Sequence, residues 1–452
     1  MKPATHCRVL IALLLLALLC ACAKKPGQPA PPAQPEADIA DIREFPQNLE
    51  IYAREAGASR RLISEAEQAA LYSSFLNIYF GPWEMSRTSI PRREAAAVSK
   101  RARGYKYGGQ PWSEAEWQAI LANMQISRFP SRSAQAITVR QTDLREAPTH
   151  EARFAKPTPK PELDPFDYLQ YSSLPPGMPL LIAHTSQDGK WHYIECPIAG
   201  GWVDASDIAL VDPAFKALWR EHGYAALIRD GVTLPGTGPG GRDGKAGIGA
   251  ILPLTQQSGS GLRVIVPIRE KDGRAGTAEI MLSAADAMPM PAPLTAGMVA
   301  RVGNAMMGQR YGWGGMLGLR DCSAMLRDLF APFGLWLPRN SAAQARRGAV
   351  IRLDGMTASE KAATILRDGK PFLSLVGLPG HITLYVGAWK NRPALFHNAW
   401  GLRIVRDGND DERFVIGRAV VTSITPGMEL ENLYRPKTFV DRIRTLTRLG
   451  PR

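Results

Sequence analysis

The chain has 452 residues, with 55 Lys and Arg against 42 Asp and Glu, and 45% of it is apolar. It is too long for one core and points to about three or four domains, and so ordinary a composition excludes a mainly disordered chain. The formal charge of +13 allows nucleic acid, anionic lipid or an anionic wall polymer, but the basic residues are dispersed and no Lys/Arg block with interleaved aromatics marks a nucleic-acid surface, so nucleic acid is not expected.

Lys2 and Arg8 precede an apolar run from Val9 to Leu19, too short to cross a bilayer but suited to the core of an export signal. Leu19-Cys20-Ala21-Cys22 resembles a bacterial lipobox. That resemblance implies a lipoprotein signal peptide over residues 1–22, cleavage before Cys22 and lipid on Cys22. The protein is then expected to be exported and held on a bacterial membrane, facing the periplasm or cell wall. Ordinary signal-peptidase cleavage nearby, or an uncleaved anchor, fits the same charged start and apolar run. Residues 23–36, AKKPGQPAPPAQPE, form a proline-rich linker that would hold the body off the membrane. After export only Cys196 and Cys322 keep free thiols. They could pair in an oxidising compartment, although Cys196 lies in the strand-like HYIECP and reads as a buried structural thiol.

Residues 37–133 are predicted as a helical domain. Ser64-Glu-Ala-Glu and Ser113-Glu-Ala-Glu are helix-start signals, the second followed by Trp117, Ile120, Leu121 and Met124 at helical spacing. The period changes to short strands over 134–212, punctuated by Asp188-Gly189 and Gly200-Gly201. This segment resembles a bacterial SH3-like barrel, in which Trp191 and Trp202 read first as core aromatics. Residues 213–293 look like a second such barrel with a poorer match. Their loop PGTGPGGRDGKAG is not a phosphate loop, because no Gly-Lys-Ser/Thr ends it and no helix follows.

The last domain is placed at 294–436, with 437–452 as a C-terminal tail. A glycine-rich loop, RYGWGGMLGLRD, leads into a predicted helix that starts at Cys322 and ends at Gly334. Cys322 in the first helical turn is either inert packing or a nucleophile: the helix start favours its thiolate, and Asp321 beside it opposes that. Farther on, His381–Gly387 and Ala394–His397 read as a hairpin across Lys390-Asn391-Arg392-Pro393, which brings His381 and His397 together. Ile382, Leu384 and Val386 would face one side of that sheet. Cysteine and two histidines are the parts of a Cys-His-polar triad; they are also possible zinc ligands, but without a short-spaced ligand pair.

Tyr311-Gly-Trp-Gly-Gly, Asp321-Cys322-Ser323, Pro338-Arg339-Asn340-Ser341, Gly380-His381-Ile382 and His397 together resemble the NlpC/P60 cysteine peptidases. The resemblance implies a multidomain chain: a helical N-terminal region, two SH3-like β-barrels and a papain-like α+β catalytic domain. It implies Cys322 as nucleophile, His381 as general base and acid, His397 as the third polar residue, and Tyr311 near the developing oxyanion. Asp321, Ser323 and Ser341 match substrate-binding positions, Asp321 and Ser341 those that meet the ammonium of a free N-terminal L-Ala. Trp191 or Tyr193 of the first barrel would help to wall the site. The implied reaction is hydrolysis of the γ-D-glutamyl to diamino acid bond (diaminopimelate or lysine) in peptidoglycan stem peptides, with no cofactor. The alternatives are a wall-binding lipoprotein without activity, and amidase or acyltransferase chemistry on the same fold.

Overall fold

The computed structural model describes residues 38–158, 165–259 and 261–450. The signal peptide, the lipidation of Cys22 and the linker therefore lie outside the described residues, and no described helix is long and apolar enough to cross a membrane.

The N-terminal helices are α1 (Ala40–Glu44), α2 (Leu49–Glu55), α3 (Glu65–Glu84), α4 (Arg92–Ala95) and α5 (Glu114–Asn123). Both predicted starts form capping boxes, Ser64 with Glu67 and Ser113 with Glu116, each satisfying backbone donors that a helix end leaves unpaired. Rather than enclosing one core, these helices brace the others. Leu49, Tyr52 and Ala53 pack into the core of the last domain, and Phe75, Tyr79, Phe80 and Trp83 into the core shared by the two β regions. Their polar tips find backbone partners there: Trp83 Nε1 donates to Ala136 O at 2.8 Å and Tyr79 OH to Gly177 O at 3.0 Å. These two side chains are thus buried with their donors paired.

The first β region comprises β1 (Ala134–Thr138), β2 (Thr142–Arg145), β3 (Gln170–Leu174), β4 (Pro179–Thr185), β5 (Trp191–Glu195), β6 (Gly200–Asp204) and β7 (Ile208–Leu210). They form one antiparallel sheet in the order β3-β2-β6-β5-β4-β1-β7. Helix α6 (Pro213–Arg220) leads to the second region: β8 (Gly223–Leu227), β9 (Val232–Leu234), β10 (Gly244–Ala246), β11 (Ile251–Ser258), β12 (Gly261–Arg269), β13 (Ala275–Leu282) and β14 (Ala287–Met290). These make a five-stranded sheet, β13-β12-β11-β8-β14, and a separate β9/β10 ribbon carrying the glycine-rich loop. Two antiparallel β regions are present as expected, but each is an ordered sheet with two edge strands, so the closed barrels of the sequence reading are not what is observed.

The last domain holds α7 (Ala296–Met306), α8 (Cys322–Phe330), α9 (Ser341–Gln344), α10 (Ala358–Asp368) and α11 (Phe439–Arg442) around β15 (Ala349–Arg352), β16 (Ser374–Leu378), β17 (His381–Trp389), β18 (Arg392–Arg406), β19 (Asn409–Thr422) and β20 (Thr445–Arg448). The sheet order is β15-β20-β16-β17-β18-β19. Through Arg448, the segment expected as a C-terminal tail is thus part of the domain: α11 covers the sheet, and β20 is an interior strand paired with both β15 and β16. The β17–β18 turn is Lys390-Asn391, both at positive φ (47° and 59°), as a tight two-residue hairpin requires. Ile382, Leu384 and Val386 join the core that contains α8, whereas Tyr385 faces the opposite layer with Ile365, Val440 and Ile443. The predicted alternation along β17 is observed.

Candidate active site

Asp321 is the N-cap of α8, accepting from Ala324 N at 2.9 Å, and a short 3-10 turn carries the chain to Gly334 at φ 71°. Cys322 therefore opens the helix, and it is 6% exposed. The preceding loop is glycine-rich for a reason that local sequence does not reveal. Gly314, at φ 60°, lies so close to β3 that a Cβ there would come within 2.6 Å of Gln170 O. Trp313 completes the seam, donating from Nε1 to Asp167 O at 3.0 Å and meeting the Phe166 ring at 4.9 Å. Phe166 also meets Trp400, which tilts against Tyr311 at 5.8 Å.

The histidines form a directed relay. His381 Nε2 and His397 Nδ1 are 2.8 Å apart, and His397 Nε2 lies 3.0 Å from Thr422 Oγ1. The single hydroxyl proton of Thr422 is given to Ser423 O at 2.9 Å, so Thr422 can only accept from His397. His397 then carries its proton on Nε2, its Nδ1 accepts from His381 Nε2–H, and the lone pair of His381 is left on Nδ1. The Ile382 N–H, one residue after His381, acts on the Cys322 sulfur as a hydrogen-bond donor. Phe439 of α11 covers both rings, at 5.9 Å from His381 and 5.7 Å from His397. The two ring nitrogens that face each other thus bond to one another.

Burial pushes the Cys322 thiol up to about 12, with the Asp321 charge adding to it; the Ile382 N–H, Arg339 and the Ser323 backbone pull the other way. Burial likewise holds His381 down to about 3, with the Arg442 charge acting in the same direction, and keeps His397 well below its ordinary value, with His381 contributing. The resting pair is accordingly a neutral thiol and a neutral imidazole. The helix-start preference for thiolate is outweighed by loss of solvent. One consequence concerns stability. As pH falls from about 6.5 towards about 3, the unfolded chain binds a proton that folded His381 refuses. The His381 contribution is therefore complete above about 6.5 and is lost on acidification, at up to about 1.4 kcal/mol per pH unit. Urea unfolding at pH 7 and pH 5 should show this slope, and His381→Gln should flatten it.

Asp321 is already matched. Its Oδ2 accepts from Arg339 Nη2 at 2.6 Å and its Oδ1 from Arg339 Nη1 at 3.1 Å, while the Ser323 hydroxyl donates to Oδ1 at 3.0 Å and accepts from Arg339 Nη1 at 3.0 Å. Arg339 Nε donates to Ser172 Oγ of β3 at 2.8 Å. The carboxylate that the sequence reading assigned to a substrate ammonium is neutralised from within, and Ser323 is part of the same buried lock. Ser341 begins α9 and is half-buried. Trp191 and Tyr193 need a correction: both are buried in a separate aromatic cluster with Trp112, Trp117, Phe129 and Trp202, and the Trp191 ring meets His150 at 4.5 Å, tilted by 48°. The first β region meets the Cys322 loop instead through Phe166, Asp167 and Gln170, and meets Arg339 through Ser172. Nothing local marked these residues, since their roles depend on how β3 docks.

Arg320, two residues before Cys322, bonds to Asp230 Oδ1 and Oδ2 at 2.8 Å each, to Asp328 at 2.7 Å and to Ile248 O at 2.9 Å. Its own carbonyl accepts from Gly312 N and from Asn398 Nδ2. Asp230 and Ile248 belong to the second β region, which therefore fixes the segment leading into the cysteine.

Residues 11–129 match the family described as the NLPC_P60 stabilising domain, N term; residues 153–204 match the SH3 domain (SH3b1 type), and residues 308–402 the NlpC/P60 family. A gamma-D-glutamyl-L-lysine dipeptidyl-peptidase of Bacillus subtilis (strain 168) is 33% identical over 97 residues, 21% of this chain and 31% of the relative. The alignment therefore spans about a third of that protein's length. An NlpC/P60 endopeptidase from Photobacterium damselae subsp. piscicida shares the fold at a TM-score of 0.80, with 23% identity over 94% of this chain and 100% of that one. An NlpC/P60 family protein from Bacillus cereus ATCC 10987 aligns at a TM-score of 0.46 and 14% identity, over 70% of this chain and 100% of that one.

Proposed function

The chain belongs to the NlpC/P60 family, and from that premise we propose that it is a cysteine peptidase that hydrolyses the γ-D-glutamyl to diamino acid bond of peptidoglycan stem peptides. The observation that carries this reading is the relay Ser423–Thr422–His397–His381, which leaves a lone pair on His381 Nδ1, together with the N–H of the adjacent Ile382, which acts on the Cys322 sulfur. In the proposed reaction Cys322 Sγ attacks the γ-carbonyl carbon while its proton passes to His381 Nδ1. With a neutral resting pair, that transfer accompanies attack rather than preceding it. The buried Tyr311 hydroxyl, whose charge state is coupled to Asp321 and Cys322, and the Cys322 N–H would face the oxyanion. The C–N bond breaks, the leaving amine takes the proton from Nδ1, and the D-glutamyl γ-carbon is left as a thioester on Sγ. Water then attacks the thioester and gives one proton to Nδ1; Sγ recovers that proton as the C–S bond breaks, and the acid departs with the other and ionises in solvent. His397 holds His381 in the productive tautomer throughout.

The bond specificity is taken from the curated relative's activity, together with the residue pattern around Cys322. We extend the reading to peptides with a free N-terminal L-Ala, whose ammonium would meet Ser341 and the lone pair that Arg339 leaves on Asp321 Oδ2. Because the Asp321–Arg339 pair is neutral as a whole, the preference for a free over an acetylated amine is set at about tenfold rather than absolute. Digestion of L-Ala-γ-D-Glu-diaminopimelate and its N-acetyl form, with products identified by mass, tests both parts. Equal rates remove the amine preference, and no cleavage of either removes the reaction. Export with lipid on Cys22 belongs to the same proposal and is read from the mass of the mature N-terminus.

A further inference from the structure

Helix α11 brings two side chains to the histidines. Phe439 lies across both rings, and Arg442, one helical turn on, donates from Nη2 to Pro379 O. Pro379-Gly380 is the tight turn between β16 and β17, where Leu378 pairs with His381, so the guanidinium stands at the entry to the strand that carries His381. Arg442 is half-buried, and among the described residues no carboxylate pairs with it. Asp441 gives its carboxylate to Thr438 N and Oγ1, and Asp354 is engaged by Arg352 and Arg444. Burial, and then the charges of Arg413, Arg444 and Arg403, hold the Arg442 pKa below the ordinary arginine value. A partly desolvated guanidinium among like charges gains when an anion binds it.

The scissile bond of the proposed reaction is flanked by two different chemistries. In that reaction the acyl side would reach towards Asp321, Arg339 and β3, and the leaving diamino acid would lie on the side of His381, which must protonate its amine. The geometry points to Arg442 as a specificity-determining residue that receives a carboxylate of the leaving amino acid, a role that rests on the peptidase reading above. Two carboxylates have this chemistry: the side-chain carboxylate that diaminopimelate has and lysine lacks, and the main-chain carboxylate of a peptide that ends at that residue.

Hydrolysis of L-Ala-γ-D-Glu-X by the full chain distinguishes them, with X as meso-diaminopimelate or L-lysine and each as C-terminal acid or amide. A preference in kcat/KM of about tenfold or more for diaminopimelate over lysine assigns the side-chain carboxylate, and the same preference for acid over amide assigns the main-chain one. In Arg442→Gln that ratio should collapse towards one, and Arg442→Lys should restore part of it. A ratio unchanged in Arg442→Gln overturns the inference even if all rates fall together, since a uniform fall reports only a displaced Pro379–His381 turn. Failure of the unaltered protein to cut any of the peptides removes the peptidase reading, and this inference with it.

Discussion

Cys322→Ala should lower hydrolysis of γ-D-glutamyl peptides by about 10⁴-fold or more while leaving the protein folded. The size follows from the absence of a substitute: among the described residues the other free cysteine, Cys196, is buried in the first β region, donates to Ala199 O, and is pushed up to about 11 by its burial. Removing one sulfur atom from the helix start leaves Asp321 capping Ala324 N and the core contacts of Met325, Leu326 and Leu329 in place. The thermal midpoint should therefore move by only a few degrees, about 1 kcal/mol or less. Alkylation sharpens the test. Since the resting thiol is protonated, iodoacetamide should label Cys322 slowly at pH 7 and faster with rising pH, and substrate should protect it. Persistence of peptide cleavage in Cys322→Ala would end the assignment.

The second large effect is expected at Arg339. Arg339→Gln leaves the buried Asp321 carboxylate without its bidentate partner and frees Ser172 Oγ of β3, which should cost about 3–5 kcal/mol of stability. The local field changes in a definite direction. Arg339 opposes the Asp321 charge at the Cys322 sulfur, so its loss raises the thiol pKa further and slows alkylation at a fixed pH. Asp321→Asn on that background removes the stranded charge and should recover more than half of the lost stability, as read by denaturant unfolding. If the single Arg339 variant matched the unaltered protein in both stability and thiol reactivity, the lock between Arg339 and Asp321 would carry no weight.

The reactive elements were legible because their signals are local. A glycine-rich loop before an amphipathic run placed Cys322 at a helix start, and alternation along 381–387 with a turn over 390–393 placed the two histidines together. The pieces that complete the site come from pairings far apart in the chain. Thr422 could not be foreseen because β19 was not recognised, and β18 runs on through the irregularities at Ala399/Gly401 and Ile404/Arg406, which blur a period of two. Arg339 is 18 positions from Asp321, and no local pattern links them. The interior strand β20 is four residues long and looks like a terminus until its two neighbours are known. Trp191 and Tyr193 were assigned to the site because they are aromatic and lie in the neighbouring domain; their burial with Phe129 and Trp202 shows that the sheet needs them for itself.

The guanidinium of Arg320 has a bearing on heredity. It stands two positions before the sulfur yet is held by Asp230, ninety positions earlier, while Gln68 of α3 anchors Ala292 and Phe333 at the base of the same helix. A gene fragment that encoded residues 294–450 alone would inherit the cysteine and both histidines without the partners that hold them in register. Recombination that swapped the leading segments for unrelated ones would meet the same obstacle, because Asp230 and Gln68 would go with them.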